Sequence, residues 1–271
     1  MSDPRSAPVT VPVVRSTKVR DGREPLVMVT AYDAPGARIV DAAGVDMILV
    51  GDSVANVVLG YEDTLHVTVD DMAHHVAAVA RARPRALVVG DLPWMSYHVD
   101  VADTVRNAAT LIRAGAQCVK LEGGAIRAPM VKALVDAEIP VMGHIGLTPQ
   151  SVLAFGGFKV QARDDEAAAL LIEGATVLAG AGAFAIVVEG VPEKVGAAVT
   201  DAVDVPTIGI GAGPACDGQV LVLHDLLGIS GRTPKFVRRY AELADDATAA
   251  VAAYAADVRS GAFPADAEVY H

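Results

Sequence analysis

MILVGDS, residues 47–53, sets four consecutive aliphatic side chains directly before Gly51, Asp52 and Ser53. A short apolar run bounded by turn residues is the pattern of a strand covered on both faces, as in a parallel sheet. An ionised acid held out of water beside such a strand costs several kcal/mol unless it is paired, hydrogen-bonded or bound to a metal. Asp52 therefore marks either the point where the strand meets solvent or a carboxylate held rigidly for use. The pattern recurs. ALVVGDLP (86–93) repeats the run, the glycine and the aspartate. CVKLEGG (118–124) ends in Glu122 with Lys120 two residues earlier, on the same strand face, and AIVVEGV (185–191) reaches Glu189.

Outward from these four, strands and helices alternate. LVMVTAYD (26–33), VMGHIGL (141–147), TIGIGAG (207–213) and QVLVLHD (219–225) bring the strand candidates to eight. Between them lie helical segments: 34–44, stopped by Gly44; 69–84, ended by Pro84; 100–115, with an acidic start and Gly115 as its stop; 127–139; 164–182; and 192–203, opened by Pro192. Eight apolar strands separated by helices predict one (β/α)8 TIM barrel over residues 25–271, preceded by an N-terminal arm (1–24) and closed by a helical tail from Lys235 that includes 236–261. A doubly wound sheet is the alternative, but GIGAG (209–213) runs straight into Pro214, so no glycine-rich turn opens a helix for a dinucleotide. In a barrel the C-terminal strand ends form the active-site mouth, where Asp52, Asp91, Glu122 and Glu189 all fall.

The 271 residues, 52% of them hydrophobic, suffice to fill a sizeable core. A net charge of −11 supplies no basic footprint for nucleic acid and no reason to meet an anionic membrane. Two cysteines make no disulfide framework, and Cys118 reads as a small buried hydrophobe. The first 25 residues lack the apolar core of a signal peptide, so the cytoplasm is the expected compartment.

Any one acid at a strand end can be a helix cap or a solvated side chain. Four at one mouth would repel one another and raise each other's pKa values unless a cation sat among them. Oxygen ligands without cysteine point to a hard divalent ion, Mg²⁺ before zinc. With Lys120 beside Glu122, the set suits proton abstraction next to a carbonyl polarised by the metal. His144, ending the fifth strand, has either a site role or a local structural hydrogen bond. His74 and His75 read as surface or packing residues of a helix, His66 and His98 as loop residues without a nameable partner, and Asp225 of the His224-Asp225 pair as a cap. The loop 148–163 is long enough to be functional, and the glycines of AFGGFKVQAR would let it fold over a substrate.

In the same order and spacing, from about residue 12 to 240, the motifs VTAYDAPGARIVDAAGVDMILVGDS, DLPWMSY, KLEGG, PVMGHIGLTPQS, GGFKVQ, VVEGVP and IGIGAGPACDGQVLVLHDLLG closely resemble the ketopantoate hydroxymethyltransferase family. The resemblance implies a (β/α)8 barrel that transfers a hydroxymethyl group from 5,10-methylenetetrahydrofolate to 3-methyl-2-oxobutanoate, giving 2-dehydropantoate for pantothenate and coenzyme A, with one Mg²⁺ per subunit. It implies Asp52 and Asp91 as metal ligands and Glu122 as a ligand directly or through water. Ser53 and Lys120 become keto-acid contacts, His144 a site-lining residue and Glu189 the proton acceptor. It also implies a homo-oligomer, a decamer in the family. The folate-binding residues are not indicated. Two other readings compete: a Mg²⁺-dependent C–C lyase of the isocitrate lyase and phosphoenolpyruvate mutase type, and a non-catalytic barrel binding a metal or a small acid. The lyases carry a reactive cysteine in a mouth loop, whereas here the only loop cysteine is Cys216, after the seventh strand.

Overall fold

The computed structural model describes residues 7–231 and 233–271; residues 1–6 of the expected arm lie outside the described set. Eight parallel strands close into a barrel in sequence order. They are β1 (Leu26–Thr30), β2 (Met47–Val50), β3 (Leu87–Asp91), β4 (Cys118–Glu122), β5 (Val141–Gly146), β6 (Ala185–Glu189), β7 (Thr207–Ile210) and β8 (Gly218–Leu221). The helices are α1 (Val11–Arg15), α2 (Ala34–Ala42), α3 (Val54–Val57), α4 (Val69–Ala80), α5 (Val101–Ala114), α6 (Ala128–Asp136), α7 (Val152–Phe155), α8 (Asp165–Gly180), α9 (Glu193–Ala202), α10 (Leu223–Leu226) and α11 (Leu243–Ser260). The chain divides into two compact units, 1–222 and 223–271. The first holds the whole barrel; the second holds α10 and α11.

Strand parity explains why the mouth is polar. The barrel interior is a continuous cluster that includes Leu87 and Val89 of β3, Cys118 of β4, Met142 of β5, and Ala185 and Val187 of β6. Two residues farther along each of these strands, on the same face, stand Asp91, Lys120 with Glu122 beyond it, His144 and Glu189. The register pairs Asp91 with Lys120 and Glu122 with His144 across neighbouring strands. Apolar layers therefore fill the barrel and one polar layer tops it. At the opposite end, Val9 and α1's Val14 join the same interior cluster, so residues expected as an arm close the barrel floor.

Several boundaries differ from the sequence expectations. Helix α4 stops at Ala80 rather than running to Pro84, and Arg83 takes a left-handed φ of 53°. The residue before proline is crowded out of helical space, and the chain turns earlier to avoid it. The expected loop 54–68 begins with α3. The eighth strand ends at Leu221, and His224-Asp225 lie in the short α10. In the tail the helix starts at Leu243, not at Phe236.

Candidate active site

The mouth cluster is built from the ends of β2 to β6. Asp52, Asp91, Lys120, Glu122 and His144 are all buried. One carboxylate oxygen from each of Asp52, Asp91 and Glu122 can be chosen so that all three lie within 4.8 Å of one another. Lys120 Nζ stands 2.8 Å from Asp91 Oδ1, 3.4 Å from Glu122 Oε1 and 3.3 Å from His144 Nδ1. His144 is the hinge of the arrangement: Nδ1 is 3.3 Å from Glu122 Oε1, and Nε2 is 3.3 Å from Glu189 Oε2. Glu189 thus stands apart from the three clustered acids, linked to them through an imidazole. Gly146, with φ 94°, is required at the rim, because a Cβ there would meet the Glu189 carbonyl oxygen at 2.2 Å. That close approach lets the Leu147 N–H bond the same carbonyl and fixes where β6 ends.

Charge balance sets the chemistry. Burial, then the charges of Asp91 and Glu122, push the Asp52 carboxyl well above its ordinary range. Burial also raises Asp91, although Lys120 pulls against it. Glu122 moves the other way: burial opposes ionisation, but Lys120 and His144 outweigh it and hold the carboxyl at about 2. Burial and Lys120 disfavour a charged His144, yet Glu122 and Glu189 carry it up to about 9. Burial works against the Lys120 charge as well, and the three neighbouring acids more than restore it. With Glu189, four carboxylates face one ammonium and one imidazole. The donor set, all oxygens and short of positive charge, fits a hard divalent cation.

The remaining residues singled out from the sequence fall nearby or elsewhere. Ser53 Oγ is 2.8 Å from the Tyr32 hydroxyl, and the Tyr32 carbonyl is 2.7 Å from His75 Nδ1, so His75 braces this corner rather than only packing. His66 does have partners: it stacks on Tyr61 and lies 3.0 Å from Asp63. His98 packs against Tyr97 with ring centres 4.2 Å apart, and burial together with Arg127's charge lowers it to about 4. Cys118 is buried inside the barrel, where burial pushes its thiol up, consistent with a packing role. Two functional candidates were not singled out at all. Tyr97 and Gln150 are buried between the acids. The Tyr97 hydroxyl donates to Gln150 Oε1 at 2.7 Å and accepts from the Glu122 N–H at 3.1 Å. Both lie within the motifs DLPWMSY and GHIGLTPQ, but as loop residues with no strand parity to aim them.

The model of the ketopantoate hydroxymethyltransferase family matches residues 9–266. A 3-methyl-2-oxobutanoate hydroxymethyltransferase from Methylobacterium sp. (strain 4-46) is 57% identical over 262 residues, covering 96% of this chain and 90% of its own. The protein of the same name from Pyrobaculum aerophilum is 57% identical over 250 residues, 92% of this chain and 95% of its own. Among solved structures, a phosphonopyruvate hydrolase in complex with oxalate and Mg²⁺ superposes with a TM-score of 0.62 at 14% identity, covering 96% of this chain and 91% of that one. A 2,3-dimethylmalate lyase of the phosphoenolpyruvate mutase and isocitrate lyase superfamily gives 0.61 at 17% identity, covering 96% and 91%. At such identities these two share the fold with this chain.

Proposed function

This chain belongs to the ketopantoate hydroxymethyltransferase family, and from that premise we propose that it transfers a hydroxymethyl group from 5,10-methylenetetrahydrofolate to 3-methyl-2-oxobutanoate to give 2-dehydropantoate. The observation that carries this reading is the split of the mouth into two parts. Three buried acids cluster on β2–β4, and a fourth, Glu189, stands beyond His144 with its side chain 15% exposed. A reaction that holds a keto acid at one point and removes a proton at another needs that separation.

In this reading Asp52, Asp91 and Glu122 hold Mg²⁺, which when bound supplies the Lewis acidity that makes the C3 hydrogen of a 2-keto acid removable. Lys120 and Ser53 contact the substrate's carboxylate. Lys120 is kept cationic by its acidic neighbours, so it can oppose the charge that develops on deprotonation. Glu189 Oε2, steadied by His144 Nε2, receives the C3 proton, while His144 also lines the substrate side of the site. C3 then bonds to the methylene carbon, both of whose C–N bonds to the folate break, and one water supplies the oxygen of the new hydroxymethyl group as tetrahydrofolate leaves. Assembly into a homo-oligomer, a decamer by family resemblance, belongs to the same proposal. It is supported by α11, which leaves Val251, Tyr254 and Val258 exposed. A cytoplasmic location belongs to the same proposal. No helix among the described residues is long and apolar enough to cross a membrane.

The deciding experiment is exchange of the C3 proton of 3-methyl-2-oxobutanoate in D₂O with Mg²⁺ and no folate. The wild type is expected to exchange, and Glu189→Gln to lose about 10²–10⁴ in both exchange and turnover while still binding Mg²⁺. A variant that exchanges normally once saturated with metal, but binds the metal poorly, would make Glu189 a ligand and move the base elsewhere.

A further inference from the structure

Each clustered acid has one oxygen held by an amide N–H, while Lys120 Nζ lies 2.8 Å from the other oxygen of Asp91 and 3.4 Å from that of Glu122. Asp91 Oδ2 accepts from the Asp52 backbone, Asp52 Oδ2 from the Gln150 side chain, and Glu122 Oε2 from the Gln150 backbone, each at 3.1 Å. One residue therefore serves two of the three acids through two different groups, although it lies on no strand. It is delivered by a single 3-10 turn, Pro149–Ser151, directly after β5.

The directions of these bonds are fixed by what each atom can do. The Leu92 carbonyl can only accept, and Gln150 Nε2 stands 3.0 Å from it, so the amide nitrogen must lie on that side. The second hydrogen of the same nitrogen then reaches Asp52. Gln150 Oε1 is left facing the Tyr97 hydroxyl. That hydroxyl already receives the Glu122 N–H, so its own hydrogen goes to Gln150. A flipped amide would set Oε1 against two acceptors and lose the Tyr97 bond. Tyr97 is itself held in place: fully buried, its ring packs under the Arg127 guanidinium at 5.3 Å and against His98. Its loop is tied to α5 by the Asn107 side chain, which donates to the Ser96 carbonyl at 2.7 Å.

We infer that Tyr97 and Gln150 form a positioning pair that locks the rotamers of Asp52 and Glu122, leaving the second oxygen of each carboxylate oriented for a divalent cation. Both act through the acids they hold, as positioning residues rather than as ligands of the cation. The pair acts by removing alternatives: Glu122 Oε1 already stands 3.4 Å from Lys120 Nζ, and without the pair the Asp52 carboxylate is free to turn toward the same ammonium. The inference rests on the metal reading given above. Partners of metal ligands at this remove commonly account for 10–100-fold in affinity.

The test is calorimetric titration of the full chain with Mg²⁺ alone, no keto acid or folate present, the wild type alongside. Gln150→Leu keeps the volume and removes the side-chain donor and acceptor; its dissociation constant for Mg²⁺ is expected to rise about 10–100-fold. Tyr97→Phe removes one oxygen, and a smaller rise in the same direction is expected. Because the two act through one chain of bonds, the double variant should bind no more weakly than Gln150→Leu alone. A merely structural pair would lower the unfolding midpoint of the metal-free protein without changing the metal constant, and that result overturns the inference; so does an additive double variant. If Gln150→Leu does not fold, Tyr97→Phe decides by itself, an unchanged metal constant overturning the role. A wild type that takes up no Mg²⁺ overturns the metal reading and the inference with it, whereas a binding wild type with unaffected variants overturns the inference alone.

Discussion

The two ends of the barrel each bury a lysine against an aspartate, and they do opposite things with it. At the floor, Lys18 Nζ donates to Asp217 Oδ2 at 2.7 Å and to the carbonyls of Thr200 and Val205 at 3.0 and 3.2 Å. Asp217 in turn accepts from the backbone of Val19 and Thr207, both at 2.9 Å, and from the Thr207 hydroxyl. One positive charge meets one negative charge, and all three ammonium hydrogens have acceptors. At the mouth, Lys120 faces three acids, two of which are pushed above their ordinary range. The floor is a closed electrostatic account and the mouth an open one. A buried pair that balances itself has no use for a ligand, whereas an unbalanced cluster, costly by itself, is retained for what it recruits.

That contrast can be broken at either end. The largest effect on stability is expected at the floor. Lys18→Met leaves Asp217 charged and buried without its partner, and should cost about 3–5 kcal/mol in denaturant unfolding while Mg²⁺ affinity and kcat stay at wild-type values. Loss of metal binding in that variant would mean that the two ends are not independent. The mouth should respond next. Mg²⁺ at about 100 times its dissociation constant should stabilise the wild type by about 2.7 kcal/mol, read as a rise in Tm, and should do nothing for Asp52→Ala or Asp91→Ala. An equal rise in those variants would place the ion elsewhere.

The smallest effect belongs to the surface, where the cost of a charge is low. Thr68 caps α4 and forms a reciprocal pair with Asp71, whose carboxyl is held below 3.8 chiefly by the Thr68 hydroxyl. Because the folded pKa is the lower one, this contribution is fully present above 3.8 and fades as the pH falls through the folded value. Thr68→Ala should cost about 1 kcal/mol at neutral pH. The gap from wild type should narrow below pH 3.8; a gap unchanged in acid would mean that Asp71 has no part in it.

What could be read from the sequence follows the same division. The strands were legible because each is an unbroken aliphatic run, and parity then aimed Asp91, Lys120, Glu122, His144 and Glu189 at one mouth. The paired roles of Lys18 and Asp217 were not legible, since nothing local relates residues 199 positions apart. Tyr97 and Gln150 escaped for a different reason: loop side chains have no period. Their direction depends on backbone features such as the left-handed Met95 at φ 66°, a conformation that its residue type does not advertise. The tail helix begins at Leu243, seven residues later than the sequence suggests.

The distance between Lys18 and Asp217 also sets a clock. During synthesis at about 5–20 residues per second, the lysine emerges roughly 10–40 s before the carboxylate that will neutralise it, 199 residues later. β1 likewise waits for β8, the only strand that can cover its second edge. Until β8 is made, β1 can pair with β2 alone, and its second edge lacks its partner. Barrel closure is then a late, long-range event whose loop entropy is met all at once. The floor pair therefore cannot form until residue 217 has been made, and a chain stalled before it has every mouth acid already made but no β8 to close the barrel.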